Sequence, residues 1–366
     1  MRLVLVISSL AAGGAERVLS TLANAWAQYG HEITVVTDAP KASDHYPLVS
    51  DVKRISLEAL SDSTSVFNKV VRNLVRLSRL RSAIVRTAPD AVIAFGSTIN
   101  VRAVLSCVGL GPVLISERTD PRQCPLPLPW RLLRRAIYPM AALLVVQTAS
   151  VRNWTIGRMK PERVRVIPNP ARPPAPAASR PEALGTRRTV AAVGRLGSEK
   201  GFDMLLEAFA KAELASSGWQ LLILGEGQER SALAAQAEIL RISSSVLMPG
   251  VVPDPQQWLV HTDIFALPSR FEGFPNALLE AMACGLPVVA FDCPSGPAEI
   301  VLHGKTGLLV PPLDVAALTA ALQQLASDRE LRIELGGEGS RHVAARFGLD
   351  RILGMWDEAL VAATVR

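Results

Sequence analysis

Glu272 and Glu280 stand eight residues apart in a stretch, residues 265–290, that reads F-A-L-P-S-R-F-E-G-F-P-N-A-L-L-E-A-M-A-C-G-L-P-V-V-A. Both carboxylates can look at the same mouth of the sheet, where a carboxylate accepts hydrogen bonds from a ligand's donors. The stretch opens as a short apolar strand ending near Ser269, turns through Glu-Gly-Phe-Pro-Asn, and predicts an Ala/Leu-rich helix over 276–284. Pro275 is placed to open that helix, whose first N–H groups make an anion site. Gly285 stands where a helix C-cap belongs, and 286–291 reads as a second buried strand. Each piece has a plain alternative: a helix glutamate is often solvated, and E-G-x-P can be a simple turn. Together they place a carboxylate loop after a parallel strand and ahead of a helix, where α/β sheets bind ligands.

Arg195 and Lys200 share one short glycine-rich loop, G-R-L-G-S-E-K-G over 194–201. A planar guanidinium fork and an ammonium point charge both suit a diphosphate. A surface arginine alone carries no such meaning. A second glycine turn, with Gly13 and Gly14, follows the first apolar strand; glycine there lets a backbone approach a ligand closely. It is not G-x-G-x-x-G, so it is no dinucleotide fingerprint.

The elements that must position these residues repeat. Residues 2–8 predict a strand, 15–29 a helix and 32–37 a strand, one βαβ unit; further strands fall at 91–95, 113–116, 142–147 and 164–167. The proline-dense stretch 168–184 excludes a helix or central strand and reads as a linker. The pattern then restarts with a strand at 189–193, the glycine loop, a helix at 202–214 and strands at 219–224, 245–248, 264–267 and 288–291. Closing helices are predicted over 315–326, 328–336 and 349–363. The fold class is therefore α/β, two doubly wound Rossmann-like domains facing across a cleft. The boundaries are 1–170, a linker at 171–185 and 186–347, with a terminal helix at about 348–366.

The stretch around Glu272 and Glu280 resembles the E-x7-E signature of the family 4 (group 1) retaining glycosyltransferases, and its flanks match nearly throughout. The loop containing Arg195 and Lys200 resembles that family's diphosphate motif. S-L-A-A-G-G-A-E-R-V-L, V-I-P-N-P, L-L-I-L-G-E-G and E-I-V-L-H-G-K-T-G-L-L-V extend the resemblance over almost the whole chain. It implies a GT-B fold whose terminal helix crosses back to the first domain, with acceptor binding in the first domain and donor binding in the second. It implies that Glu272, Arg195 and Lys200 carry the transfer chemistry. Gly13, Gly14, Gly273, Phe274, Pro275, Asn276 and Glu280 would hold a nucleotide-diphosphate sugar, most readily UDP-linked hexose or N-acetylhexosamine, with Glu280 on the ribose. The acceptor would be lipid-linked or a growing glycan, as in bacterial surface polysaccharide assembly. Many family members carry a histidine where this chain has Arg118, after the strand ending at Ser116. The histidine's contact with a sugar hydroxyl then passes to Glu117 or Arg118, or the donor is held differently. Another two-domain nucleotide-sugar enzyme, epimerase-like, and a non-catalytic nucleotide-sugar binding protein are the competing readings.

Composition narrows the partners. Aromatics are 5% with no interleaved basic strand, which argues against nucleic acid, while a net charge of +6 suits phosphorylated ligands or an anionic surface. Cys107, Cys124, Cys284 and Cys293 form no C-x-x-C pair and read as reduced thiols. No D-x-D occurs, so neither a metal nor another cofactor is expected. The apolar start, residues 3–12, reads as a first strand rather than a signal peptide, and no apolar run reaches the ~18 residues of a span. Residues 57–87 predict a helix with Lys69, Arg72, Arg76, Arg79 and Arg86 on one side, and Phe67, Val70, Val71, Leu74, Leu77 and Ile84 on the other. With Leu126, Leu128, Trp130, Arg131, Arg134 and Arg135 nearby, the expectation is a cytoplasmic protein peripheral to the inner face of the membrane.

Overall fold

A computed structural model of the chain describes residues 1–58, 66–174 and 179–365. The expected helix segment at 59–65, linker residues 175–178 and Arg366 lie outside the described residues, as do the side chains of Phe67, Lys69 and Val70. The chain forms two compact units, Met1–Asn169 with Ile352–Arg366, and Pro170–Arg351.

In the first unit, the described residues form a seven-stranded sheet from β1 (Arg2–Ile7), β2 (Glu32–Thr37), β3 (Lys53–Ser56), β4 (Ala91–Phe95), β5 (Val113–Ser116), β6 (Leu143–Val146) and β7 (Val164–Val166). All pairs are parallel, in the order β3-β2-β1-β4-β5-β6-β7. The strand order reverses between β1 and β4. The loops after those two strands therefore flank a topological switch point, where parallel sheets take ligands. In the helix Leu349–Thr364, Trp356 stacks on Phe95 with centroids 5.9 Å apart and meets Trp26 edge-on at 6.2 Å. The Trp26 indole N–H donates to Asp357 Oδ1 at 2.9 Å. Burying each of these side chains is worth about 1.5–3 kcal/mol, which holds the terminal helix to the first unit.

In the second unit, the described residues form a six-stranded sheet from β8 (Arg188–Val193), β9 (Trp219–Leu224), β10 (Val246–Gly250), β11 (Ile264–Leu267), β12 (Val288–Phe291) and β13 (Leu308–Val310). It too is parallel, in the order β10-β9-β8-β11-β12-β13, with its switch point between β8 and β11. Val190 and Ala192 face one core, while Ala191 faces the other. Burial on both faces is why these strands read as continuous apolar runs.

Several expectations need correction. The helix expected to stop at Gly336 runs over Arg329–Phe347. A Cβ on Gly336 would lie 2.1 Å from the Gly285 carbonyl oxygen, so that glycine serves close packing and not termination. A helix covers Leu128–Ile137, with Pro129 in its first turn where a missing N–H costs nothing. The proline-rich stretch is docked on the second unit: Arg172 pairs with Asp254, the Ala171 N–H donates to the Phe347 carbonyl at 2.7 Å, and Leu184 is buried. The helix Val66–Thr87 is turned differently from the expectation. Val71 and Leu74, on the apolar side of the expected helix, are exposed; Arg79 donates to the Leu57 carbonyl at 2.8 Å, and Leu80, Ala83 and Ile84 fill the core. Apolar periodicity alone did not say which of two stripes the sheet would cover.

Candidate functional site

In the second unit, the loops after β8, β9 and β11 converge, and glycine makes this possible. Gly201 adopts φ +64°, and a Cβ there would meet the Pro268 carbonyl oxygen at 2.0 Å. A Cβ on Gly225 would meet the Gly194 carbonyl oxygen at 1.9 Å. No other residue type fits either place. The loop after β8 is thus pressed onto the loop after β11.

That approach brings Lys200 to Glu272, with Nζ donating to Oε1 at 2.7 Å. The Ser269 hydroxyl donates to the same oxygen, also at 2.7 Å. The Glu272 side chain is 7% exposed and that of Lys200 22%, so the pair is partly shielded from water but reachable. Arg270 braces the loop from behind, giving Asp203 two hydrogen bonds of 2.8 and 2.6 Å. Those bonds hold the Asp203 carboxyl below its usual range. Cys293, after β12, lies beside the pair: burial pushes its thiol up to about 12, and the charges of Glu272 and Lys200 both reach it. Next to it, Ser295 is held at φ +67°, a costly conformation for a side chain and of the kind that clusters at ligand sites.

The helix Asn276–Ala283 starts directly after Pro275, which occupies the N-cap, one position earlier than a helix-opening proline. Its far end closes in a Schellman pattern, with Gly285 at φ +75° donating to the Met282 carbonyl and Leu286 to that of Ala281. Glu280 is buried within this helix. Phe274 is an anchor, packed on Phe347 with centroids 6.0 Å apart, while Gly273 and Asn276 are half-buried. Arg195 does not join the cluster. Its side chain is 75% exposed and donates to Glu199 Oε1 at 2.6 Å.

Gly13 and Gly14 lie in the first unit, after β1, with the Glu16 carboxylate folded over Gly13 where a Cβ would stand 2.2 Å from Oε2. At the end of β5 the neighbours Glu117 and Arg118 part company. Glu117 accepts from the Ser97 hydroxyl at 2.6 Å and the Tyr138 hydroxyl at 2.5 Å, with Arg134 at 3.8 Å. Burial raises its pKa, opposed by those hydrogen bonds and the arginine. Arg118 instead lies over the Phe95 ring, 4.7 Å from its centroid, and donates to Asn169 Oδ1 and, at 3.3 Å, to Ser116 Oγ. Gln147 donates to the same Asn169 oxygen at 2.7 Å.

Sequence reading did not select Ser269, Cys293, Gln147, Asn169 or Phe95 as site residues. Asn169 had a signal, as the polar residue of the V-I-P-N-P segment at a strand end. A single Ser, Gln or Phe next to an apolar run has none. Among the described residues, no group of three His, Cys, Asp or Glu side chains could hold a metal ion.

Two doubly wound parallel sheets are the architecture of the GT-B glycosyltransferases. The glycosyltransferase family 4 model matches residues 12–173 and the glycosyl transferases group 1 model residues 187–328. The chain belongs to this family. It is 29% identical over 337 residues to the Campylobacter jejuni GalNAc-alpha-(1->4)-GalNAc-alpha-(1->3)-diNAcBac-PP-undecaprenol alpha-1,4-N-acetyl-D-galactosaminyltransferase, covering 92% of this chain and 91% of that one. It is 37% identical over 231 residues to an exopolysaccharide phosphotransferase of Streptomyces coelicolor, covering 62% of this chain but only 24% of that longer protein. Anabaena HepE, solved in complex with UDP and glucose, shares the fold at a TM-score of 0.81 and 18% identity, over 99% of this chain and all of its own (100%).

Proposed function

We propose that this glycosyltransferase moves a hexose or N-acetylhexosamine from UDP to a lipid-linked or polysaccharide acceptor, with retention of anomeric configuration and without a metal. The observation that carries the reading is the Lys200–Glu272 pair, held by Ser269 at the switch point of the second sheet. The UDP in complex with HepE and the undecaprenol-linked acceptor in the name of the Campylobacter relative support the choice of substrates.

The second unit takes the donor. Lys200 leaves Glu272 for the diphosphate, and Arg195, free to swing on its exposed stem, joins it from Glu199. Together with the N-terminus of the helix Asn276–Ala283, these cations meet the charge that develops on the leaving phosphate. Glu272, with its ammonium partner drawn away, accepts from sugar hydroxyls, and Glu280 accepts from the ribose. The backbone of Gly273, Phe274, Pro275 and Asn276 lines the sugar. Gly13 and Gly14 let the first unit's backbone come close to a ligand phosphate. Retention follows if the acceptor attacks the face that the phosphate leaves, the phosphate taking the acceptor proton.

The first unit takes the acceptor at a membrane surface. Among the described residues, no helix is long and apolar enough to cross a membrane. The helix Leu128–Ile137 instead exposes Leu128, Leu132 and Leu133 beside Arg131 and Arg135, the make-up of an element that lies in a headgroup layer. Arg134 is turned inward over Trp154, at 4.7 Å from its ring centroid.

The test is nucleotide-diphosphate release from a panel of UDP-, GDP- and ADP-sugars in excess EDTA. Release from a UDP-sugar supports the reading. Release from GDP-sugars alone overturns the donor, and loss in EDTA with recovery on Mg²⁺ or Mn²⁺ overturns metal independence.

A further inference from the structure

Arg118 is a buried cation whose hydrogen bonds, among the described residues, all go to neutral oxygens. It is 9% exposed and donates to Ser116 Oγ and Asn169 Oδ1. Its Nε is buried with no hydrogen-bond partner. Burial lowers its pKa to about 9, which leaves it charged at neutral pH. A buried guanidinium normally meets a carboxylate, because its desolvation is repaid only by an opposite charge with matching hydrogen bonds.

The acid whose charge reaches Arg118 is Glu16. Glu16 is committed elsewhere: its carboxylate folds over Gly13, accepts from the Ser9 hydroxyl and from its own backbone N–H, and burial raises its pKa. Nor is Arg118 loose. The Phe95 ring lies under its face, Trp356 backs Phe95, and Asn169 is fixed by Gln147. The guanidinium is therefore aimed by its surroundings, at the C-terminal edge of a parallel sheet, with a donor left over.

We propose that Arg118 is the core of a preformed oxyanion subsite in the first unit, which takes a carboxylate or phosphate carried by the acceptor. The substrate class is then an acidic glycan, either a uronate residue or a phosphate-bearing sugar or lipid head. Ser116 and Asn169 position the fork, and the ligand engages the terminal N–H groups that those two oxygens leave open, Nε being shielded from solvent. This rests on the glycosyltransferase reading only for the word acceptor; the anion subsite stands or falls by itself.

Binding of methyl glucuronide, inorganic phosphate and neutral methyl glucoside is measured calorimetrically at constant ionic strength on the full chain saturated with UDP, which fills the phosphate site proposed for the second unit. The preceding UDP titration of the same samples reports on the second unit. The wild-type protein is expected to bind the glucuronide, phosphate or both, and to ignore the glucoside. Arg118→Met should weaken that binding at least about tenfold, the scale of one lost charge-assisted hydrogen bond, with UDP binding unchanged. Arg118→Lys should keep part of it. Asn169→Asp supplies the missing carboxylate inside the protein and should abolish anion binding; this variant decides the matter if Arg118→Met does not fold. Binding of the glucuronide alone assigns a uronate, and of phosphate alone a phosphorylated acceptor. No anion binding to the wild type, or equal binding to wild type and Asn169→Asp, overturns the proposal. Loss of UDP binding in the wild type would instead sink the donor reading and leave the subsite standing.

Discussion

Lys200 and Glu272, seventy-two residues apart, meet at 2.7 Å because Gly201 lets the loop after β8 press onto the loop after β11 at the reversal of the second sheet. Under the proposed donor reading, the lysine is held in reserve for the diphosphate by a carboxylate. Lys200→Ala should weaken UDP binding by about 1–3 kcal/mol, or roughly 5- to 150-fold in Kd. Arg195→Ala should cost less, because that side chain is 75% exposed and pays entropy to reach the phosphate. Calorimetric titration of UDP into both variants checks the ordering; equal, wild-type affinities would remove the phosphate role.

The buried Glu117 gives a pH signature. Its folded pKa is raised from 4.5, chiefly by burial, so the folded state holds its proton more tightly than the unfolded state. That favourable term is fully present below about 4.5 and fades as pH rises toward the raised folded value. Glu117→Gln does not titrate. Its melting temperature relative to wild type should therefore climb as pH increases from about 4.5, up to the raised folded value. A difference that stays flat over that interval, or falls, would contradict the assignment.

Much of this was legible in the sequence because parallel strands buried on both faces leave continuous apolar runs, and glycines mark the turns between them. β1, β8 and β11 and the helix Asn276–Ala283 all follow from that pattern. Lys200 and Glu272 were legible as types but not as partners, since nothing in the spacing of residues 200 and 272 states a contact. The side of the helix Val66–Thr87 that meets the core was not legible either. Exposed Val71 and Leu74 look no different in sequence from buried Leu80 and Ile84. Arg118 stood out by its place at a strand end, but its lack of an acidic hydrogen-bond partner needed Asn169, Gln147 and Glu16 in space.

The exposed face of the helix Leu128–Ile137 should bind anionic vesicles. Each cation at an anionic leaflet contributes about 1 kcal/mol, screened over roughly 10 Å at 0.1 M salt, while the three leucines add a salt-resistant part. In flotation with phosphatidylglycerol vesicles, Arg131→Glu with Arg135→Glu should reduce binding at low salt, and adding Leu132→Ser should remove the remainder. UDP binding should not change. Wild-type protein that stays unbound at low salt would show that the helix is only a solvated face.

The most direct test is transfer by Glu272→Ala, measured as nucleotide-diphosphate release with a lipid-linked acceptor and normalised to folded protein by its melting transition. Glu272 is expected to hold the donor sugar, so release should fall below detection while the variant still melts cooperatively and binds UDP. A folded Glu272→Ala variant that turns over at the wild-type rate would contradict the assignment of the site.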